Sequence, residues 1–147
     1  VEHWFYHLEQ TSLEAALPRL LEKSLANDWR VRLQFSDAAA MAAMDRYLWT
    51  YKDDSFLPHG TDDKPGADAH PILLTAEARP ADEDVVFLIG GAEPGEMTGV
   101  KRCITMVDSR DEQGRAIARA RWKAASDAGE AVSYWRQDDR GAWKKQG

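Results

Sequence analysis

The sequence predicts an α/β domain in which a mostly parallel sheet is flanked by helices. Three observations carry this. The chain has 147 residues, enough for one compact domain with its own core, read as a single unit over residues 1–147. Short apolar blocks alternate with longer segments whose apolar residues recur at helical spacing. The last residues form two short strand-like runs joined by a turn, a C-terminal hairpin.

Each element has its own signature. Trp4 to Leu8 is an apolar block, as in a strand buried on both faces. Thr11 with Glu14 resembles a capping box. It opens a helix in which Leu13, Leu17, Leu20, Leu21 and Leu25 recur at helical spacing. Pro18 lies inside it and is expected to kink or restart the helix. Val31 to Phe35 returns to strand character. Ser36 is the expected cap of a second helix that turns Met41, Met44 and Leu48 inward. Residues 50–71 read as a long polar loop, a length that in a small domain is usually functional or disordered. Ile72 to Thr75 and Val85 to Ile89 read as strands, Gly90 to Gly99 as a turn-rich connector, and Cys103 to Val107 as a further strand. Asp111 to Ala128 is helical, with Gly129 as its stop. Ala131 to Gln137 and Ala142 to Lys145 then pair across the turn at residues 138–141.

Such a Rossmann-like alternation calls for a test of nucleotide chemistry, and the signatures are missing. A dinucleotide site needs Gly-x-Gly-x-x-Gly after the first strand, because only glycine lets the backbone approach a pyrophosphate. Here that turn reads Glu9, Gln10, Thr11, Ser12. No phosphate loop ending in Gly-Lys-Ser/Thr is present, and the nearest candidate, Gly90 to Gly95, runs into Glu96. No Gly-x-Ser-x-Gly elbow exposes a serine. His3 and His7 share a strand face without the cysteines or carboxylates of a zinc set. His59 and His70 fall in or beside the polar loop, where surface histidines are common. The adjacent aspartates (53–54, 62–63, 138–139) suit turns better than a shared acid–base site. Neither a catalytic residue nor a metal ligand nor a cofactor is expected. The lone Cys103 excludes an internal disulfide and fits a packed strand in a reducing cytoplasm. The longest apolar run, Val85 to Ile89, is far short of the roughly 20 residues of a membrane helix. The N-terminus lacks the layout of a signal peptide.

Charge distribution points elsewhere. The net charge is −6, which argues against a general nucleic-acid coat. Residues 115–147 nevertheless carry eight Lys/Arg against four Asp/Glu, while residues 1–114 carry eleven against twenty-one. A local anion-binding surface is one reading; a solvated basic helix is the other. At about 100° per residue, Arg115, Arg119, Trp122 and Lys123 share one helical face. Ile117, Ala120 and Ala124 are expected on the opposite, inward side. Two placements of Trp122 are open: an exposed wall beside cations, able to hold an aromatic group and a carboxylate, or a ring packed under the hairpin beside Trp135 or Trp143.

Several short motifs resemble the chi subunit family of bacterial DNA polymerase III. They run from Phe5-Tyr6-x-Leu8 and Trp29-x-Val31 through Met44-Asp45-x-x-Leu48-Trp49 to Ser55-Phe56-x-Pro58-His59 and Pro71-Ile72. Ala118-Arg119-x-Arg121-Trp122-Lys123, Tyr134-Trp135 and Gly141-x-Trp143-Lys144 complete the series. The resemblance implies a non-catalytic accessory subunit of the clamp-loader assembly, polymerase activity belonging to the holoenzyme. It implies a Rossmann-like fold without bound nucleotide, and nucleic acid met only through partners. Such a subunit grips the acidic C-terminal tail of single-stranded DNA-binding protein, which ends in Pro-Phe. The positions implied for that tail are Arg119, Trp122 and Lys123, with Arg115 flanking them. A second surface, for the psi subunit, falls at Trp49 and Phe56. Two readings compete with this one. The first is an enzyme or sensor binding a nucleotide or other small anion. The second is direct single-strand binding by the basic helix and its tryptophans.

Overall fold

The computed structural model describes residues 1–50, 57–140 and 142–146. Eight strands form one sheet in the order β3-β4-β2-β5-β6-β1-β7-β8. In chain order these are β1 (Glu2–Leu8), β2 (Val31–Gln34), β3 (His59–Thr61), β4 (Ile72–Thr75), β5 (Val85–Leu88), β6 (Arg102–Asp108), β7 (Val132–Gln137) and β8 (Trp143–Lys145). The helices are α1 (Leu13–Ala26), α2 (Ala38–Trp49) and α3 (Glu112–Asp127). Every strand pair is parallel except β7–β8, the expected hairpin.

Alternation along the strands assigns the two faces. Tyr6, Leu33, Phe87 and Ile104 point to one side, where Leu17 and Leu21 of α1 and Met41, Met44 and Leu48 of α2 meet them. Phe5 and Val107 point to the other, under Ala118 of α3. Beside α3 that second face is covered by the connectors around Ala81 and Val100. It also carries polar side chains with internal partners. Buried Arg32 donates to Glu83 at 3.0 Å and to the carbonyls of Arg79 and Pro80. A buried polar group needs such partners to offset its lost hydration.

The connectors approach closely enough to restrict Gly95. A Cβ there would lie 2.2 Å from the Arg79 carbonyl oxygen, beside the bridge between Ala81 and Met97. Gly129 follows α3 at φ +75°, the left-handed conformation expected of a helix stop.

Several local expectations are corrected. The α1 cap is Ser12 rather than Thr11, its hydroxyl accepting from the Ala15 amide at 3.2 Å. The α2 cap is Asp37 rather than Ser36, accepting from Ala40 at 2.7 Å. In both cases neighbouring residues have capping chemistry, and the backbone turn selects the second. α1 runs through Pro18 without interruption. The bond Pro18 forgoes belongs to the Glu14 carbonyl in the exposed first turn, where water can take its place. The polar loop at 50–71 contains β3 and a 3₁₀ turn at Ala67–Ala69. β3 is only three residues long and adds to the sheet edge beside β4, too short for an alternation signal.

Candidate functional site

The parallel register of β1 with β7 sets His3 beside Val132, Phe5 beside Tyr134 and His7 beside Arg136. All of these face α3. The helix begins at Asp111, whose carboxylate accepts from the Gly114 amide at 3.0 Å. It is seated by Ala118 and Ala125, which are buried. Ala120 and Ala124 are exposed and Ile117 is only half-buried, so the inward face is not the expected one. The seam runs along Ala118, Trp122 and Ala125, about a quarter-turn or more away. An alanine-rich helix has a weak apolar stripe, and the large Trp122 ring decides its rotation.

Trp122 is half-buried. Its ring tilts against Phe5 at 5.6 Å between centroids and meets Tyr134 edge-on at 5.8 Å. Trp135 and Trp143 lie on the opposite face, against Trp4 and Tyr6. The hairpin therefore does not cover Trp122 with those two rings. Between α3 and β7 opens a cleft of about 590 Å³, lined by His7, Val107, Arg115, Ala118, Arg119, Trp122, Tyr134, Arg136 and Gln146. Its walls combine an aromatic cluster with three guanidinium groups.

Three of the four residues that the sequence singled out as expected tail contacts, Arg115, Arg119 and Trp122, are thus brought together. Lys123 is exposed on the same helix, outside the lining. Among the described residues, Arg115, Arg119 and Lys123 pair with no carboxylate, and Arg115 Nε is buried without a hydrogen-bond partner. Arg136 is paired with Glu9. His7, Tyr134 and Arg136 were missed by the sequence reading. Residue parity along the two strands was the available signal, but parity becomes a location only once their register is known.

At the cleft floor, His7 Nδ1 and the Tyr134 hydroxyl share a hydrogen bond of 2.5 Å. His7 Nε2 is buried without a hydrogen-bond partner and lies 3.8 Å from Glu9 Oε1. Burial lowers the His7 pKa below its ordinary 6.5; Glu9 pulls it back up, while Arg136 and Arg115 push it further down. Burial also raises the Tyr134 pKa, so the phenol keeps its proton at neutral pH.

The turn after β1, where a phosphate loop would stand, is committed internally. The amides of Glu9, Gln10 and Thr11 all donate to Gln137 Oε1, at 3.0, 2.9 and 3.2 Å. Gln137 Nε2 in turn donates to Thr11 Oγ1 at 2.8 Å. Several other chemistry-bearing residues are buried or have internal partners, while Asp53 and Asp54 lie outside the described residues. Burial pushes the Cys103 thiol up to about 12, as suits a packed strand position. His59 is buried rather than on the surface, with Nδ1 at 2.6 Å from the Leu57 carbonyl and Nε2 at 3.2 Å from Asp45 Oδ1. Asp62 accepts from Thr75 and Arg79, and Asp138 from the amides of Arg140 and Ala142. Among the described residues, no group of three His, Cys, Asp or Glu side chains could hold a metal ion. No helix there is long and apolar enough to cross a membrane.

A family profile described as DNA polymerase III chi subunit, HolC, matches residues 1–133. The chain belongs to the chi subunit family. A relative from Rickettsia prowazekii (strain Madrid E), described as a probable DNA polymerase III subunit chi, is 27% identical over 100 residues. That match covers 67% of this chain and 61% of the relative, so the chain spans less than two thirds of the relative's length. The profile match includes all of α3 but ends before Tyr134, Arg136 and Gln146, which complete the cleft of this chi-family chain.

The expected psi surface lies at the other edge of the sheet. Trp49, at the end of α2, is 53% exposed and rests on His59 at 4.4 Å between centroids. Phe56, its expected companion, lies outside the described residues.

Proposed function

We propose that this chain is a non-catalytic accessory subunit of the DNA polymerase III clamp-loader assembly in the cytoplasm. In this reading it docks the acidic C-terminal tail of single-stranded DNA-binding protein in the cleft between α3 and β7. The observation that carries the reading is an aromatic-walled cleft with three guanidinium groups, in a chain whose net charge is −6. Trp122 and Tyr134 wall an apolar space for the terminal phenylalanine of the tail. Arg119, which pairs with no carboxylate among the described residues, takes the terminal carboxylate in a bidentate grip. Arg115 and Lys123 attract the acidic residues before it. Burying a phenylalanine side chain is worth about 1.5–3 kcal/mol, and ordering a flexible tail costs about 2–5 kcal/mol. Charge-assisted contacts of about 1.5–3 kcal/mol each from Arg119, Arg115 and Lys123 add to the apolar burial, and weak binding of roughly micromolar order is the expected balance.

Exposed Trp49 supports the second half of the reading, in which a psi subunit or equivalent clamp-loader component covers the β3 edge with Trp49 and Phe56 as anchors. Nucleic acid is then reached only through these partners. The nucleotide alternative finds little support at the β1–α1 turn, because the amides that would receive a phosphate already hold Gln137.

Fluorescence titration with an acidic peptide ending in Pro-Phe tests the docking site. Arg119→Ala should weaken binding at least tenfold, since charge-assisted contacts are worth about 1.5–3 kcal/mol. Binding undiminished by that change would remove the assigned site.

A further inference from the structure

The cleft has one cation that is already occupied. Arg136 lines it from β7 and forms an ion pair with Glu9, the first residue of the turn that leaves β1. Arg115 and Arg119, across the cleft on α3, have no carboxylate of their own among the described residues. The Glu9 carboxylate also faces His7 at 3.8 Å. It therefore stands where an incoming anion would meet both Arg136 and the cleft floor. Its backbone is held there independently, because the Glu9 amide donates to Gln137. The Arg136 and Glu9 side chains are 49% and 23% exposed, and ion pairs in such settings open at little cost.

We propose that Glu9 is a built-in competitor for the ligand's terminal carboxylate. It holds Arg136 at the cleft wall, and an acidic peptide with a free C-terminus binds by displacing it. Arg136 then becomes a second carboxylate-binding residue opposite Arg119. The inference rests on the docking function proposed above but extends it to Glu9 and to Arg136, the latter beyond the family match.

The test compares two acidic peptides ending in phenylalanine, one a free acid and one a C-terminal amide. Each is titrated against the wild-type protein, Glu9→Gln, Arg136→Met and the double variant, with circular dichroism confirming the fold. Glu9→Gln should tighten binding of the free acid about two- to fivefold, the scale of an exposed ion pair, and change the amide much less. Arg136→Met should reduce the preference for the free acid, and adding Glu9→Gln to it should restore nothing. If Glu9→Gln leaves free-acid binding unchanged, or strengthens both peptides equally as a general charge effect would, the competitor role is wrong while docking stands. If neither the wild type nor any variant binds either peptide, the docking function fails and the competitor role fails with it.

Discussion

His7 shows what one residue in the cleft does to the chemistry around it. Its ring is buried beneath the cleft, bonded to Tyr134 at one nitrogen and facing Glu9 with the other. Burial keeps it neutral to lower pH than an exposed histidine. In the unfolded chain the same ring takes up a proton near 6.5, so the unfolded state binds more protons as pH falls through that value. Stability is therefore full above about pH 6.5 and declines below it, until the depressed folded pKa is reached. Urea denaturation between pH 7.5 and 5.5 should show this slope, and His7→Gln should flatten it. The lowered carboxyl pKa values of Asp84, held by Lys101, and Asp138, held by the Ala142 and Arg140 amides, act in a lower window, below their ordinary 3.8. They leave the histidine window clear.

Gln137 does comparable work for two elements at once. Placed at the end of β7, it gathers three amides of the β1–α1 turn and the Thr11 hydroxyl. This fixes the start of α1 and the position of Glu9 beside Arg136. Gln137→Leu should keep the volume but strand those donors, lowering stability by about 1–3 kcal/mol; thermal denaturation reads this as a drop of several degrees. The apolar blocks located seven of the eight strands, and the leucine spacing of α1 survived Pro18, because burial of a regular stripe outweighs one lost hydrogen bond in an exposed turn. The phase of α3 was not legible. Its alanines fit either side, and the deciding contact, Trp122 on Phe5 and Tyr134, joins residues far apart in sequence. Arg115, Arg119 and Trp122, which line the cleft, could be singled out because charge and aromatic character are local properties. His7 and Arg136 were not, because their meeting depends on the register of two parallel strands.

For the molecule as a whole, an acidic body surrounds a basic cleft. Long-range repulsion from a net charge of −6 opposes an acidic ligand, while the cleft arginines attract it at contact distance. Both effects are screened by salt, but the contact attraction is the larger for a bound ligand. Raising sodium chloride from about 0.05 M to 0.5 M should weaken the Pro-Phe peptide about three- to tenfold in fluorescence anisotropy. The order of strands has a mechanical consequence as well. Trp49 sits by β3 and the cleft by β7, with β4, β2, β5, β6 and β1 between them in the sheet. At about 4.8 Å per strand, partners at these two edges would stand roughly 30 Å apart. Tension between them would run across the strands, along the direction of the ladder hydrogen bonds, and the ladders would bear it in series. Trp49 belongs to α2, which follows β2 in the chain, so the load would enter at β2. The four-residue pairings of β2 with β5 and of β5 with β6 would then set the load at which such a link parts.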